Sequence, residues 1–290
     1  MPFRPARSGS LLYIAIVYVL AIAAAWIVWE RIDAPPAWAL LAGFAAATAV
    51  TFVATLHVDN GSVFDAWWSV LPPFAALWLT GLSEMDALTP RQVAVHVVVW
   101  FWAIRLTANW GVGWTGLDHE DWRYADMKER WPLPDWLVYL LAVEGVPTLV
   151  VWLGCLSLYP ALALGGTGFG WLDGVATIVG IASVALELAA DEQMRAFAAK
   201  KQPGEIMEHG LWKHARHPNY LGEIGFWVSL WLFAVAAAPS VWWVVVGPVA
   251  MIGLFLGVSI PLLDERSAAR RPEFAAHAAH TRALIPLPRR

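Results

Sequence analysis

Apolar runs of membrane-spanning length alternate with short polar segments along the whole chain. A helix that crosses a bilayer needs roughly 20 mostly apolar residues. Eight runs approach that length, over about residues 10–30, 37–57, 66–82, 91–109, 135–158, 171–190, 220–238 and 241–263. The third is short and carries Pro72 and Pro73, so a kinked, re-entrant or partial crossing is expected there. Ala238-Pro239-Ser240 separates the last two and predicts a helical hairpin. The first run follows Arg4 and Arg7, ends in Trp-Ile-Val-Trp-Glu and has no small-residue cleavage site, so it reads as a spanning helix or anchor. The pattern predicts an all-α polytopic membrane protein with seven or eight transmembrane helices, built as one membrane domain.

Three long polar segments remain, residues 109–135, 191–219 and 264–290. With eight alternating helices and the N-terminus in the cytoplasm, all three fall on the inner side. So do all of the 19 Lys and Arg except Arg31, Arg91 and Arg105. Inner loops of membrane proteins are ordinarily basic, so this bias favours the even count with both termini inside.

Composition agrees with the hydropathy. Charged residues make up 14% and hydrophobic residues 59%, with a mean hydropathy of +0.56, against about 25% charged in soluble domains. Most of the 20 Trp suit the membrane–water boundary, where an apolar ring with a wet N–H is favoured. The single Cys155 rules out a disulfide framework within the chain, and its apolar setting makes it a core side chain. A net charge of −4 argues against a nucleic-acid partner. No Gly-rich phosphate loop, HExxH or GxSxG motif is present.

Charge bunched at the mouth of an apolar run is costly and points to function. KHARHPNYLGE, residues 213–223, is the densest case. Pro218 suits the start of a helix, whose free N–H groups, with Lys213 and Arg216, attract an anion. Asn219 and Glu223 lie one turn apart and offer a donor and an acceptor to an amide or a ribose hydroxyl. His217 and Tyr220 complete the group. Asp191 and Arg195, four apart at the end of the sixth run, would share a helix face. Arg105 and Asn109 end the fourth run, ahead of a Gly-rich turn and HEDWRY with Arg123 and Tyr124. The contiguous His119, Glu120 and Asp121 lack ligand spacing, so no metal site is expected. Asp65 opens the third run. It is a candidate helix cap or, in a partly apolar setting, an acid of raised pKa. Asp264 and Arg266 begin a tail with a short amphipathic helix over about 272–281 and a closing IPLP, placed to cover the 213–223 site.

These motifs carry a resemblance. DEQMR, KQPGE, GLWKHARHPNYLGE and the DER…RPEFAAH…ALIPLP tail are similar to the C-terminal domain of the steroid 5α-reductase superfamily. They are most like a branch of bacterial membrane proteins once grouped as a domain of unknown function. The resemblance implies a helical fold that holds NADPH at the cytoplasmic face of the bacterial inner membrane. It also implies hydride delivery to a conjugated C=C bond of a steroid, sterol or isoprenoid, with residues 1–110 on the substrate side and 111–290 on the cofactor side. The residues it implies for the cofactor are Arg105, Asp191, Arg195, Asn219, Tyr220 and Glu223, and the polar clusters themselves add Asn109, Arg123, Arg216, His217, Asp264 and Arg266 as cofactor candidates. Steroid reductases also carry an early Gln-Glu pair, absent here, and a Tyr where this chain has Trp102, so Asp65 and Tyr124 take the catalytic expectation in their place. The RHPxY pattern also resembles integral-membrane methyltransferases that use S-adenosylmethionine, and a lipid-binding protein without catalysis is the third reading.

Overall fold

The computed structural model describes residues 7–164 and 167–286. Arg4, Arg289, Arg290 and the final Leu287-Pro288 of the closing motif lie outside the described residues. Ten helical elements carry the fold: α1 (Arg7–Arg31), α2 (Pro36–Val58), α3 (Trp67–Gly81), α4 (Pro90–Gly113), α5 (Trp122–Arg130), α6 (Asp135–Leu162), α7 (Trp171–Ala198), α8 (Pro218–Ala237), α9 (Pro239–Arg270) and α10 (Phe274–His280). No strand occurs among the described residues. All of these except α3, α5 and α10 are long and apolar enough to cross a membrane, which makes seven.

The short α3 has 15 residues with Pro72 and Pro73 inside it. It lies antiparallel to α4. Ser69 near its start pairs with Thr107 at 2.9 Å, and Thr80 near its end pairs with His96 at 2.9 Å. The eight expected runs are thus eight helices in the expected order. Among the helix starts, α4 is the best specified, because Thr89-Pro90-Arg91-Gln92 supplies a full capping box with Pro in the first turn.

Each end of the bundle is tied by its own polar contacts. At one end the Arg7 side chain donates to the Gly111 carbonyl at 2.8 Å, and Asn60 donates to the carbonyls of Leu117 and His119 at 3.0 and 3.1 Å. Arg130 and Glu265 join α5 to α9 at this same end. The first and last described segments therefore lie together. At the opposite end Arg91 is 5% exposed and Asp173 1% exposed, joined at 2.7 and 2.9 Å. Arg91 also donates to the carbonyls of Thr167 and Ala236, at 2.7 and 3.3 Å. One guanidinium thus fastens the start of α4 to the start of α7 and the end of α8.

The α7–α8 pair is the most extensive packing in the bundle. Small residues allow it: a Cβ on Gly222 would stand 2.7 Å from the Ser183 carbonyl, and one on Gly180 would stand 2.9 Å from the Ser229 hydroxyl. Trp102 of α4 stacks flat on Phe226 of α8, with centroids 4.3 Å apart. Two stretches depart from α geometry into π turns, Tyr139–Gly145 in α6 and Phe255–Ser259 in α9. Each is followed two residues later by a proline, Pro147 or Pro261, whose missing N–H interrupts the ladder.

Removing one partner of a buried ion pair strands a charge and costs about 3–5 kcal/mol. Arg91→Met is expected to lower the unfolding midpoint of the detergent-solubilised protein sharply, and Arg91→Met combined with Asp173→Asn to recover part of the loss. Equal midpoints for Arg91→Met and the wild type would refute the role given to this pair.

Candidate functional site

Two cavities open at the end of the bundle that holds Asn60, α5 and α10, and Tyr220 lines both. The first, about 230 Å³, is bordered by Arg216, His217, Asn219, Asp264, Arg271 and His277. Its geometry follows from the Arg-His-Pro sequence. Pro218 cannot donate a backbone hydrogen bond and takes the first helical position of α8, leaving His217 outside the helix at φ −137°. The N–H groups of Arg216 and His217 are then free to pair with the returning tail. They donate to the carbonyls of Arg282 and Ala283, both at 2.9 Å. The tail thus covers this site as expected, and its amphipathic helix occupies Phe274–His280.

Asp264 holds two side chains of the motif. It accepts from Arg216 at 2.6 Å and meets His217 Nε2 at 3.0 Å. Arg216 also donates to the Thr281 carbonyl, so its guanidinium is consumed inside the wall. Tyr220 stacks on His217 with centroids 5.4 Å apart, and on Phe255 of the π turn at 4.5 Å.

The second cavity, about 190 Å³, lies beyond Tyr220 and is mostly apolar, with Trp68, Val143, Phe255 and Leu262 in its wall. Asp65, Arg123 and Tyr124 are its polar members. Tyr124 donates to Asp65 Oδ1 at 2.6 Å, which unites two residues 59 positions apart. Asp65 does not cap α3, whose N-cap is Ala66 with no side-chain bond. Burial pushes the Asp65 carboxyl up to about 7, against the opposing pull of the Tyr124 hydrogen bond. Burial, and then the Asp65 charge, hold the Tyr124 phenol well above its usual value. Arg123 is bound to Asp121 at 2.9 Å, and Asp121 caps α5. Both π turns contribute to this cavity, Val143 from α6 and Phe255 from α9, in keeping with the habit of such turns of marking functional sites.

Other expected residues lie elsewhere. Arg105, Asp191 and Glu223 sit behind Asn219, sealed between α4, α7 and α8. Arg105 donates to Asp191 at 2.6 Å and to Glu187. Glu223 accepts from the indoles of Trp102 and Trp227, each at 2.9 Å. Asn219 donates to Asp191 at 3.3 Å and so links this cluster to the first cavity. Asp191 and Arg195, expected to share a face, do not pair with each other, because Arg195 turns to Asn109 and Glu192. Arg266 lines neither cavity. It lies 3.7 Å over the Trp122 ring and clamps α5 to α9. Among the described residues no group of three or more His, Cys, Asp and Glu is arranged to hold a metal ion.

Sequence reasoning missed Glu187, Trp227, Arg271 and His277. Glu187 stands four residues before Asp191, and Trp227 four after Glu223, so helical spacing places both on faces already singled out. Arg271 had no such signal. Three buried polar atoms near the cluster have no partner among the described residues: Arg105 Nε, Glu187 Oε1 and Asn219 Oδ1. Buried polar atoms are normally satisfied, and of these three residues only Asn219 lines the first cavity.

No solved structure matches the chain. It is 24% identical over 249 residues to an uncharacterized protein of the fission yeast Schizosaccharomyces pombe, covering 77% of this chain and 72% of the relative. A family model described as a protein of unknown function, DUF1295, matches residues 51–281, which include both cavities and the buried cluster, and the chain belongs to that family.

Proposed function

We propose that this protein is an NADPH-dependent membrane reductase of the steroid 5α-reductase type, which saturates a conjugated C=C bond in a steroid, sterol or isoprenoid. The observation that carries the reading is the meeting of two unlike cavities at Tyr220, one polar and basic, the other apolar with an acid pair. Each alone is below the roughly 300–1,000 Å³ of small-molecule sites, and together they reach it. The basic end of the bundle faces the cytoplasm in this reading, at a bacterial inner membrane, since inner flanks gather Lys and Arg.

His217, Asn219, Tyr220 and Asp264 border the nucleotide cavity, and Arg105, Asp191 and Glu223 hold Asn219 and α8 in place behind it. NADPH, when bound, supplies a hydride. The enone carbon that receives it leaves an enolate whose α-carbon needs a proton. Asp65, protonated near neutral pH and held by Tyr124, is the group placed to donate that proton. Water returns the proton to Asp65. The substrate side draws on both Asp65 and Trp68 of the first helices and on α6 and α9, and the apolar walls suit a lipid-like molecule arriving from the bilayer.

Two outcomes follow. NADPH is expected to raise the unfolding midpoint of the purified protein, and Asn219→Ala to reduce that rise by at least half. A rise with S-adenosylmethionine and none with NADPH would replace the reductase by an integral-membrane methyltransferase. Asp65 gives a pH test. A carboxyl raised in the folded state contributes stability that is complete below its ordinary value near 4 and lost as the pH passes through about 7. The unliganded midpoint should therefore fall between about pH 4 and 7, and Asp65→Asn should flatten that fall. An unchanged slope in Asp65→Asn would show that Asp65 ionises normally.

A further inference from the structure

The first cavity contains two guanidinium groups, and they differ in what they are free to do. Arg216 is held by Asp264 and by the carbonyls of Thr281 and Ala278. Among the described residues Arg271 has no carboxylate partner. Its one side-chain contact is to Ser267 Oγ at 3.4 Å, one turn back along α9. The local sequence explains its position. Pro272 cannot extend the helix, and a residue before proline is driven out of helical geometry. Arg271 is accordingly extended, at φ −138° and ψ 103°, with its N–H still bonded to the Ser267 carbonyl. Its side chain leaves the helix surface and joins the cavity wall.

Two further polar groups border the same cavity. Ser267 offers a hydroxyl. His277 of α10, whose side chain is 7% exposed, binds Glu208 through Nδ1 at 2.9 Å, which leaves Nε2 available and fixes the ring. A guanidinium fork, a hydroxyl and an imidazole suit the several oxygens of a phosphomonoester, the ligand for which a planar Arg is best fitted.

We infer that Arg271, with Ser267 and His277, forms a phosphomonoester subsite that takes the 2′-phosphate of NADPH and sets the preference for NADPH over NADH. The inference rests on the reductase reading and assigns the phosphate to Arg271 and not to Arg195, which is committed to Asn109 and Glu192. Arg271 is half-buried and unpaired, so its replacement leaves the bundle intact and isolates the binding term.

The test is a binding titration of the detergent-solubilised protein with NADPH, NADH and adenosine 2′,5′-bisphosphate, alongside the unliganded unfolding midpoint of each variant. Loss of a charge-assisted phosphate contact corresponds to about a tenfold to hundredfold change in Kd. Arg271→Ala is expected to weaken NADPH and the bisphosphate by that factor, to leave NADH and the unliganded midpoint unchanged, and Arg271→Lys to recover part of the affinity. NADPH affinity unchanged in Arg271→Ala would overturn the subsite while leaving the reductase reading standing, as would an equal loss for NADPH and NADH. Failure of the wild type to bind either dinucleotide would overturn the reductase reading itself.

Discussion

One guanidinium, Arg105, stands at the centre of the structure. It projects from α4 into the bundle interior, and there it meets Glu187 and Asp191 of α7. A charge removed from water is tolerated only when paired and hydrogen-bonded, and the penalty for leaving it alone is several kcal/mol. That penalty fixes how α4 and α7 rotate and slide against each other. α8 is locked to the same point, because Asn219 binds Asp191 and the two oxygens of Glu223 take the indoles of Trp102 and Trp227. Apolar helices alone can slip past one another in lipid, where hydrophobic burial gives little preference between registers. The cluster removes that freedom for α4, α7 and α8, of which the last two contribute to the first cavity.

From this fixed point the rest of the end face is assembled by backbone geometry. α8 begins at Pro218, so Arg216 and His217 lie outside it and their N–H groups pair with the tail. The tail is thereby drawn over the cavity and brings His277 to its border. Asp264 of α9 then ties Arg216 and His217 from the other side. Tyr220, one turn inside α8, is stacked between His217 and Phe255 and becomes the partition between the two cavities. The partition depends on the π turn in α9 that presents Phe255, and the same cavity receives Val143 from the π turn of α6.

What was legible in the chain divides along the range of the interaction. Hydropathy located every helix of the bundle, since the bilayer demands length and apolarity from each one separately. It did not decide α3, because 15 residues with two prolines satisfy neither a crossing nor a loop by pattern. Its antiparallel seat against α4 rests on Ser69–Thr107 and Thr80–His96, contacts that only the folded chain reveals. The 213–223 motif was legible because its polar residues are contiguous and sit at a helix start. The Asp65–Tyr124 bond and the Arg91–Asp173 pair were not, since each joins residues dozens of positions apart. Asp191 and Arg195 show the limit of helical spacing as evidence: four residues apart put them on one face, but Arg105 of α4 took Asp191, and Asn109 of α4 with Glu192 of α7 itself took Arg195. The π turns leave no trace in hydropathy, and only the prolines two residues after each hinted at a break.

Charge is also unevenly available around the first cavity. Behind Asn219 the guanidinium of Arg105 is spent on Glu187 and Asp191, and Glu223 on the indoles of Trp102 and Trp227. At the α9 end Arg271 has no carboxylate partner among the described residues, seven residues beyond Asp264, roughly 10 Å along a helix axis. An anionic group in the cavity is thus drawn towards α10. A dinucleotide of the proposed kind would place its phosphates there and its uncharged reduced nicotinamide at the Tyr220 end, which borders the apolar cavity and its acid pair. The Arg105 cluster fixes the helices and is spent in its own bonds, so the charge that would direct such a cofactor is the one the fold does not use.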